Sequence, residues 1–503
     1  MSTAADATST LADWAAPKAD GEVLVWPDRQ TLPDVARDNK QRLDASDATF
    51  LGRPLGEHRR DMRQFLGLSD DDGPVVMTGH QCELLHPGVW VKDAVIHAVA
   101  EACEGVAWHV AVDTDGPKHL TFKWPGYSRK LSDDPRLYGV AWTGRLDPPT
   151  PAHIDQLEAD ADQAQHDGLV SPHLAEWIAD LRRYLIDQRD SPSPLTLPGA
   201  MTNANHRLDW SLGLRYSTTL ASGLCESPTW VALVLHLATN AASFADSYNA
   251  ALAENRRLAG ISDPDRPMPD LDVDVDVDEI ELPYWLDDLA TGGRSRARVD
   301  VGGDRPRLIV AGERVELPEE PMPMLMLLRR LGLRLGPRAL SLTMFLRLFA
   351  SDLFVHGIGG GHYDQVLDAI LRDHLGLEPP TFAVASATLF HPDAGTRERV
   401  CLNCLDQRGH RLRHDVLGDE KQAWLAKIDA AEDETERRQQ FDAMHAARRQ
   451  RLATDDRYAA WRRDRDEAER RQERDAAYFD RELFYGLQPT SRLIGLLDHV
   501  RGA

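Results

Sequence analysis

The clearest pattern of apolar and polar positions lies between Gly73 and Asp115. The apolar run Pro74-Val75-Val76-Met77 ends at Thr78-Gly79 and a polar loop follows. Apolar residues then recur at helical spacing from Val91 to Cys103, and Val106 to Val112 is a second short apolar run. This order predicts a βαβ unit. Continuous apolar runs suit parallel strands covered on both faces, and such sheets bind ligands just beyond the carboxyl ends of their strands. Two loops therefore hold the first candidate residues. Thr78, Gly79, His80 and Gln81 follow the first strand, with Pro87-Gly88 and Lys92 opening the helix, and Asp113, Asp115 and His119 follow the second strand.

Residues 1–45 mix Ala, Asp and Pro with little periodicity and predict an extended or partly disordered lead-in. Pro54 to Leu66 reads as an amphipathic helix with Leu55, Met62, Phe65 and Leu66 as its apolar set. Leu120–Trp124 and Leu137–Trp142 read as short strands, and Ile154–Gln188 is mostly helical, closed by Ser191-Pro192-Ser193-Pro194. Leu208–Leu258 is helix-rich. Just before it, Asn203, Asn205, His206 and Arg207 either line a pocket with Arg215 and Tyr216 or, in the commoner role, cap and turn the chain. From Leu271 to Asp278, Asp and Val alternate, which puts four carboxylates on one face of a strand. Spread along a strand they do not converge on a cation, so a solvated edge strand or acidic loop is expected. Ile280–Val315 predicts a small β-hairpin insertion and Pro321–Leu335 a helical portion.

Leu340–Phe354 leads into the glycine-rich stretch His356-Gly357-Ile358-Gly359-Gly360-Gly361-His362-Tyr363-Asp364, read as a ligand-facing loop, before helix resumes at Tyr363–Leu375. Arg347, Asp352 and His356 would project from the preceding helix, and the planar fork of Arg347 suits a carboxylate or phosphate. From Lys421 to Arg481 the composition becomes Ala, Arg, Asp, Glu and Gln. It predicts a long antiparallel helical hairpin breaking near Ala453–Asp456, an assembly arm or a solvated strut.

The first loop suggests anion binding. A glycine lets backbone approach a ligand, a helix start offers free N–H groups, and Lys92 could add a positive charge. Ordinary turn residues with a solvated lysine stand level with that reading, because the pattern is neither GxGxxG nor a P-loop. Cys401, Cys404, His410 and His414 have a spacing that invites zinc. The spacer is shorter than zinc sites use, and a helix through Arg397–Gln407 would place both cysteines on one face without metal, so no metal site is assigned. Cys82 is either a nucleophile or a buried structural cysteine.

At 503 residues the chain can bury a sizeable core in two or more units. A net charge of −23 argues against a nucleic-acid or anionic-membrane binder, though not against a local basic pocket. The N-terminus shows no secretory pattern, no apolar run reaches a membrane span, and five cysteines are too few for a disulfide framework, so the cytoplasm is the expected address.

The Thr78-Gly79-His80-Gln81 strand end, Pro87-Gly88 and Lys92 resemble the N-terminal signature of the bacillithiol biosynthesis cysteine-adding enzyme family. There a strand ends in TGQQ, a glycine-proline loop follows, and a lysine sits on the next helix. Asp113-Thr114-Asp115 with His119 resembles that family's acidic and histidine-bearing segment. Gly357–Gly361 followed by a strand-like Phe382–Leu389 repeats its later order of features. Here His80 replaces glutamine, Pro87-Gly88 is reversed, and the later glycine stretch lacks proline.

The resemblance implies an α/β fold: a Rossmann-like parallel core, helical and small β insertions, and a C-terminal helical hairpin or coiled-coil arm that makes a homodimer. Residues 1–150 and 336–392 would form the two halves of the core, 151–335 the insertion, and 393–503 the arm and tail. It also implies a ligase joining the carboxylate of cysteine, or a similar amino acid, to the amine of a small, amino-sugar-like acceptor. Alternatives are another nucleotide-dependent ligase or nucleotidyltransferase on the same scaffold, and a non-enzymatic dimeric scaffold. Carboxylate activation would draw on a nucleotide such as ATP or ADP, although the residues by themselves fix no cofactor. His80, Lys92, Asp113, Asp115 and His119 would be catalytic. Thr78, Gly79, Gln81, Gly88, Arg347, His356, Gly357, Gly359, Gly360, Tyr363 and Asp364 would bind substrate or nucleotide.

Overall fold

The computed structural model describes residues 14–131, 149–188, 190 and 195–502. The strand expected at 137–142 and the turn at 191–194 lie outside them. The chain divides into two compact units, Met1–Phe390 with Arg481–Ala503, and His391–Asp480. The terminal segment, expected to travel with the arm, thus belongs to the first unit.

The first unit is built on a six-stranded sheet of β1 (Val23–Trp26), β2 (Val75–Gln81), β3 (Val106–Val112), β4 (Ser217–Leu220), β5 (Leu353–His356) and β6 (Ala383–Ala387). Their order is β1-β6-β5-β2-β3-β4. From β6 to β4 neighbours run parallel, and β1 is an antiparallel edge. The sheet has the apolar character the sequence foretold: β5 and β6 are buried throughout, and β2 is buried until Gly79. The chain steps from β2 to β3 and β4 on one side, then returns to β5 and β6 on the other. The carboxyl ends of β2 and β5 therefore flank the point where strand order reverses, the place where sheets of this kind open a crevice.

The described part of the lead-in, residues 14–45, is more ordered than its composition predicted. It supplies β1 and the helix α1 (Leu32–Asp44), whose inward face is Leu32, Ala36, Asn39 and Leu43. A polar residue completes that face. Asn39 Nδ2 donates to Asp352 O at 2.8 Å and Thr381 O at 2.7 Å, so a count of apolar positions misses the helix. The expected amphipathic helix is α2 (Leu55–Phe65). Helix α3 (Pro87–Cys103) starts with Pro87 in its first turn and His86 as N-cap, and ends at Glu104 with φ 55°. It is apolar almost all round because it packs on β6, on α1 and on the C-terminal helix Thr490–Arg501.

Helix α4 (Leu197–Ser211) borders β4, and α5 (Ile358–Leu375) follows β5. The glycine-rich stretch is therefore not a loop: Gly357 is the N-cap, and Gly359, Gly360 and Gly361 form the first turn of α5. Close packing explains the composition. A Cβ on Gly360 would lie 2.8 Å from His356 Nδ1, and one on Gly361 would lie 2.6 Å from Val384 Cγ2.

The expected β-hairpin insertion is a larger antiparallel sheet, in the order Glu313–Glu316, Arg307–Val310, Gly293–Asp300, Glu279–Asp288, Leu333–Pro337. The helix predicted through Leu335 stops at Leu331, where Gly332 takes φ 66° and releases the chain into the last of these strands. Of the Asp-Val repeat, Val273–Asp274 alone pairs as strand, and the valine face opposite the carboxylates stays exposed at Val273, Val275 and Val277.

The second unit is helical: α6 (Leu402–Asp415), α7 (Glu420–Asp429), α8 (Glu434–Thr454) and α9 (Asp456–Asp475). The break falls where expected, with Asp455 Oδ1 accepting from Arg457 N at 2.8 Å and Tyr458 N at 3.1 Å. The pairing differs from a simple hairpin. Helix α9 lies mainly on α6 and α8 on α7, because Trp461 buries against side-chain-free Gly409 and donates to Leu405 O at 2.7 Å.

Candidate functional site

Strands β2 and β3 pair residue for residue from Val75 with Val106 to Gln81 with Val112, so their last residues emerge side by side. Gly79 permits this fit, since a Cβ there would lie 2.8 Å from Val110 O. Thr78 faces the other neighbour, and its Oγ1 donates to Val355 O at 2.7 Å. Thr78 is paired with Val355, so His356 on β5 comes level with Gly79 on β2.

Lys92 is buried, and its Nζ donates to Gly79 O at 2.7 Å. Burial pushes its pKa down to about 8, partly countered by Asp93 and Glu83. At the helix start, the Gly88 N–H donates to His86 Nδ1 at 3.1 Å. The Lys92 and Gly88 groups of the expected phosphate cradle are thus engaged by the protein's own atoms. His80 stands at the rim with Nδ1 3.3 Å from Glu83 Oε1, a contact outside hydrogen-bond alignment. Burial, then the charges of Lys92 and His86, hold its imidazole well below the usual pKa, so it is neutral near pH 7.

Glu83, which the sequence reading passed over, organises the second loop. Its buried Oε2 accepts from Lys118 N at 2.6 Å and His119 N at 3.1 Å. The His119 ring meets His86 edge to face at 5.9 Å. Gln81 Nε2 donates to exposed Asp115 Oδ2 at 3.2 Å, bridging the loops. Asp113 is committed elsewhere: its Oδ1 accepts from Ser222 N at 2.8 Å and its Oδ2 from Ser222 Oγ at 2.5 Å, and burial raises its pKa. Arg294 Nη2 donates to Thr114 O at 2.7 Å, tying this loop to the antiparallel sheet.

Behind His80 lies a recess between β2, β3, α3, α4 and β4. Its volume of about 10 Å³ suffices for one water. His80, Cys82, Asp93, His109, Thr202 and Tyr216 line it. Asp93 on α3 and His109 on β3 are buried and joined, Oδ1 to Nδ1, at 2.6 Å. A carboxylate on one ring nitrogen fixes the tautomer and leaves the other nitrogen to take or give a proton. Next to it, Asp209 accepts from Trp90 Nε1 at 2.7 Å, from Tyr485 OH at 2.9 Å, and from Tyr216 OH. Burial, then the charge of Asp93, lifts the Asp209 pKa to about 7. Cys82 is buried, its thiol pKa is raised by burial, and Sγ lies 3.8 Å from Thr202 Oγ1, so it is not an activated nucleophile.

The second predicted cluster is a buried ionic network. Arg347 donates to Asp364 Oδ2 at 2.8 Å, Asp368 Oδ1 at 2.7 Å and Pro380 O at 2.5 Å, while His356 Nε2 lies 2.7 Å from Asp364 Oδ2. Its arginine is fully buried and serves the packing of α5 on β5 and β6 rather than a free anion site. His356 and Asp352 belong to β5 and its lead, not to the preceding helix as expected, and Asp352 Oδ2 accepts from Val75 N at 2.6 Å. Tyr363 is exposed on α5.

The sequence reading missed Asp93 and His109 because both lie inside elements read as apolar. Asn205 and Tyr216, for which the sequence offers a pocket or a cap, line the recess, and Asn205 lies inside α4 rather than at its cap. Asn205 Oδ1 accepts from buried Trp177 Nε1 at 2.7 Å. No protein-family model matches the chain, and no curated protein matches it.

Proposed function

We propose that the chain is a ligase-like enzyme on a Rossmann-like core, joining the carboxylate of cysteine or a similar amino acid to an amine of a small, amino-sugar-like acceptor. The observation that carries this reading is the buried Asp93–His109 pair, at 2.6 Å, beside the carboxyl ends of β2 and β3. An acceptor amine must lose a proton to attack a carboxyl carbon, and an imidazole oriented by a carboxylate is suited to take it. His80, neutral at the rim, orients the substrate by hydrogen bonding, and Gln81 with Asp115 brackets the entrance. The carboxyl must be activated, and no residue of the β2–α3 loop is assigned to that step. The resemblance of this segment to the cysteine-adding family supplies the substrate class. The helical second unit is proposed as the arm of a homodimer.

The test incubates purified protein with cysteine and amino-sugar acceptors, with and without ATP, and seeks the amide by mass spectrometry. A product that falls about 10²–10⁴-fold in His109→Gln supports the reading. Absence of product, together with no thermal shift by amino acids, amino sugars or nucleotides, would favour a non-enzymatic dimeric scaffold.

A further inference from the structure

The second unit carries a feature that plays no part in the proposed ligase reaction. Cys401 and Cys404 are joined in a disulfide at the start of α6. Both are exposed, whereas the chain's other cysteines, Cys82, Cys103 and Cys225, are buried. Cys401 is the N-cap of α6, and its Sγ accepts from Cys404 N at 3.1 Å. Beside the pair opens a cleft of about 970 Å³. Its walls include Arg399, Arg463, Arg470 and Arg471, with Glu398 and Glu467 paired to two of them: Arg471 to Glu398 at 3.3 Å and Arg470 to Glu467 at 2.9 Å. That volume and mixed charge suit a small polar molecule.

Two other roles for the pair are weaker. As a staple the bond closes a ring over Leu402 and Asn403 alone, and short rings restrict the unfolded chain least. Helix α6 is also held without it, by Trp461 Nε1 on Leu405 O at 2.7 Å and by Arg465 on Asp406 Oδ1 at 2.8 Å. As a metal site it lacks partners: His414 faces Lys421 Nζ at 2.8 Å, and among the described residues no group of three or more His, Cys, Asp and Glu is placed to hold a metal ion.

We propose that Cys401 and Cys404 are a redox-active dithiol that exchanges electrons with low-molecular-weight disulfides entering this cleft. In the reduced chain the Cys401 thiolate, favoured by the amide it faces at the helix start, attacks one sulfur of the external disulfide. The external S–S bond breaks, a mixed disulfide forms on Cys401, and one thiolate leaves. The Cys404 thiolate then attacks the Cys401 sulfur, closing the internal disulfide and releasing the second external thiolate. Two electrons pass from protein to external disulfide, and the two protein thiol protons end on the two released thiols. The reverse sequence reduces the pair.

The test equilibrates the full chain, without oxygen, in glutathione buffers of graded reduced-to-oxidised ratio, and counts free thiols by maleimide labelling and peptide mass spectrometry. The expected result is reversible, paired labelling of Cys401 and Cys404 along a two-electron curve, with an unchanged far-ultraviolet spectrum. Cys404→Ser should trap one glutathione on Cys401 at least tenfold faster than Cys401→Ser traps one on Cys404. Four results would overturn the proposal: a pair that stays oxidised in excess dithiothreitol, unfolding of the second unit on reduction, stoichiometric zinc uptake by the reduced pair, or no glutathione adduct on either single variant.

Discussion

Asp93 and His109 lie 16 positions apart in sequence and meet because α3 folds back across β3. If His109 takes a proton from the acceptor, Asp93→Asn should lower kcat by about tenfold or more while leaving KM nearly unchanged, because the oriented tautomer is lost but the recess remains. Steady-state kinetics on both proteins checks this, and an equal fall in substrate affinity would count against a proton-transfer role. Asp209 yields a pH prediction. Its carboxyl, ordinarily near 3.8, is raised to about 7, so between those values the native chain holds a proton that the unfolded chain releases. Its contribution to stability is complete below about pH 4 and is lost as pH rises towards 7. Asp209→Asn removes that titration. The decline in unfolding free energy across this window should flatten, by an amount on the order of a few kcal/mol, when urea unfolding is followed at several pH values.

At the scale of elements, the tight pairing of β2 with β3 makes Gly79 sensitive. A Cβ placed 2.8 Å from the Val110 carbonyl oxygen presses on backbone that cannot rotate away. Gly79→Ala should destabilise the chain by about 1–3 kcal/mol in urea unfolding; a change within error would mean that β3 shifts freely. The start of α5 is held by charge rather than by loop flexibility. Removing the carboxylate in Asp364→Ala leaves buried Arg347 with Asp368 as its remaining anionic partner and strips His356 of its own. A loss of about 3–5 kcal/mol is expected in the same assay, and a near-neutral effect would show that the network contributes little.

At the scale of the whole molecule, the second unit enters and leaves through neighbouring points, since the His391 N–H donates to Tyr478 O at 3.1 Å. A chain in which 391–480 is replaced by a short Gly-Ser linker should therefore fold, keep one cooperative melt and remain soluble. If the arm makes the dimer, light scattering should report a dimer for the full chain and a monomer for the shortened one. A shortened chain that aggregates would show that the first unit depends on the second.

The βαβ start, the apolar parallel strands, the break at Asp455 and much of the helical content were legible in the sequence, because each rests on local periodicity or on a cap within a few residues. Contradictory local cues hid other parts. The glycines at 357 to 361 read as a loop, yet they allow a helix start to press against His356 and Val384. Lys92 read as a free charge, yet it is bound to the carbonyl of Gly79. Asp93 and His109 were concealed inside runs whose neighbours are apolar. The sequence by itself determined the segments with clear apolar periodicity and the faces they bury, since those follow from side-chain spacing and the transfer of apolar surface from water. Tertiary structure alone decided which buried polar groups meet, because a buried charge takes whichever partner lies within hydrogen-bond reach, and that distance is set by segments far apart in the chain.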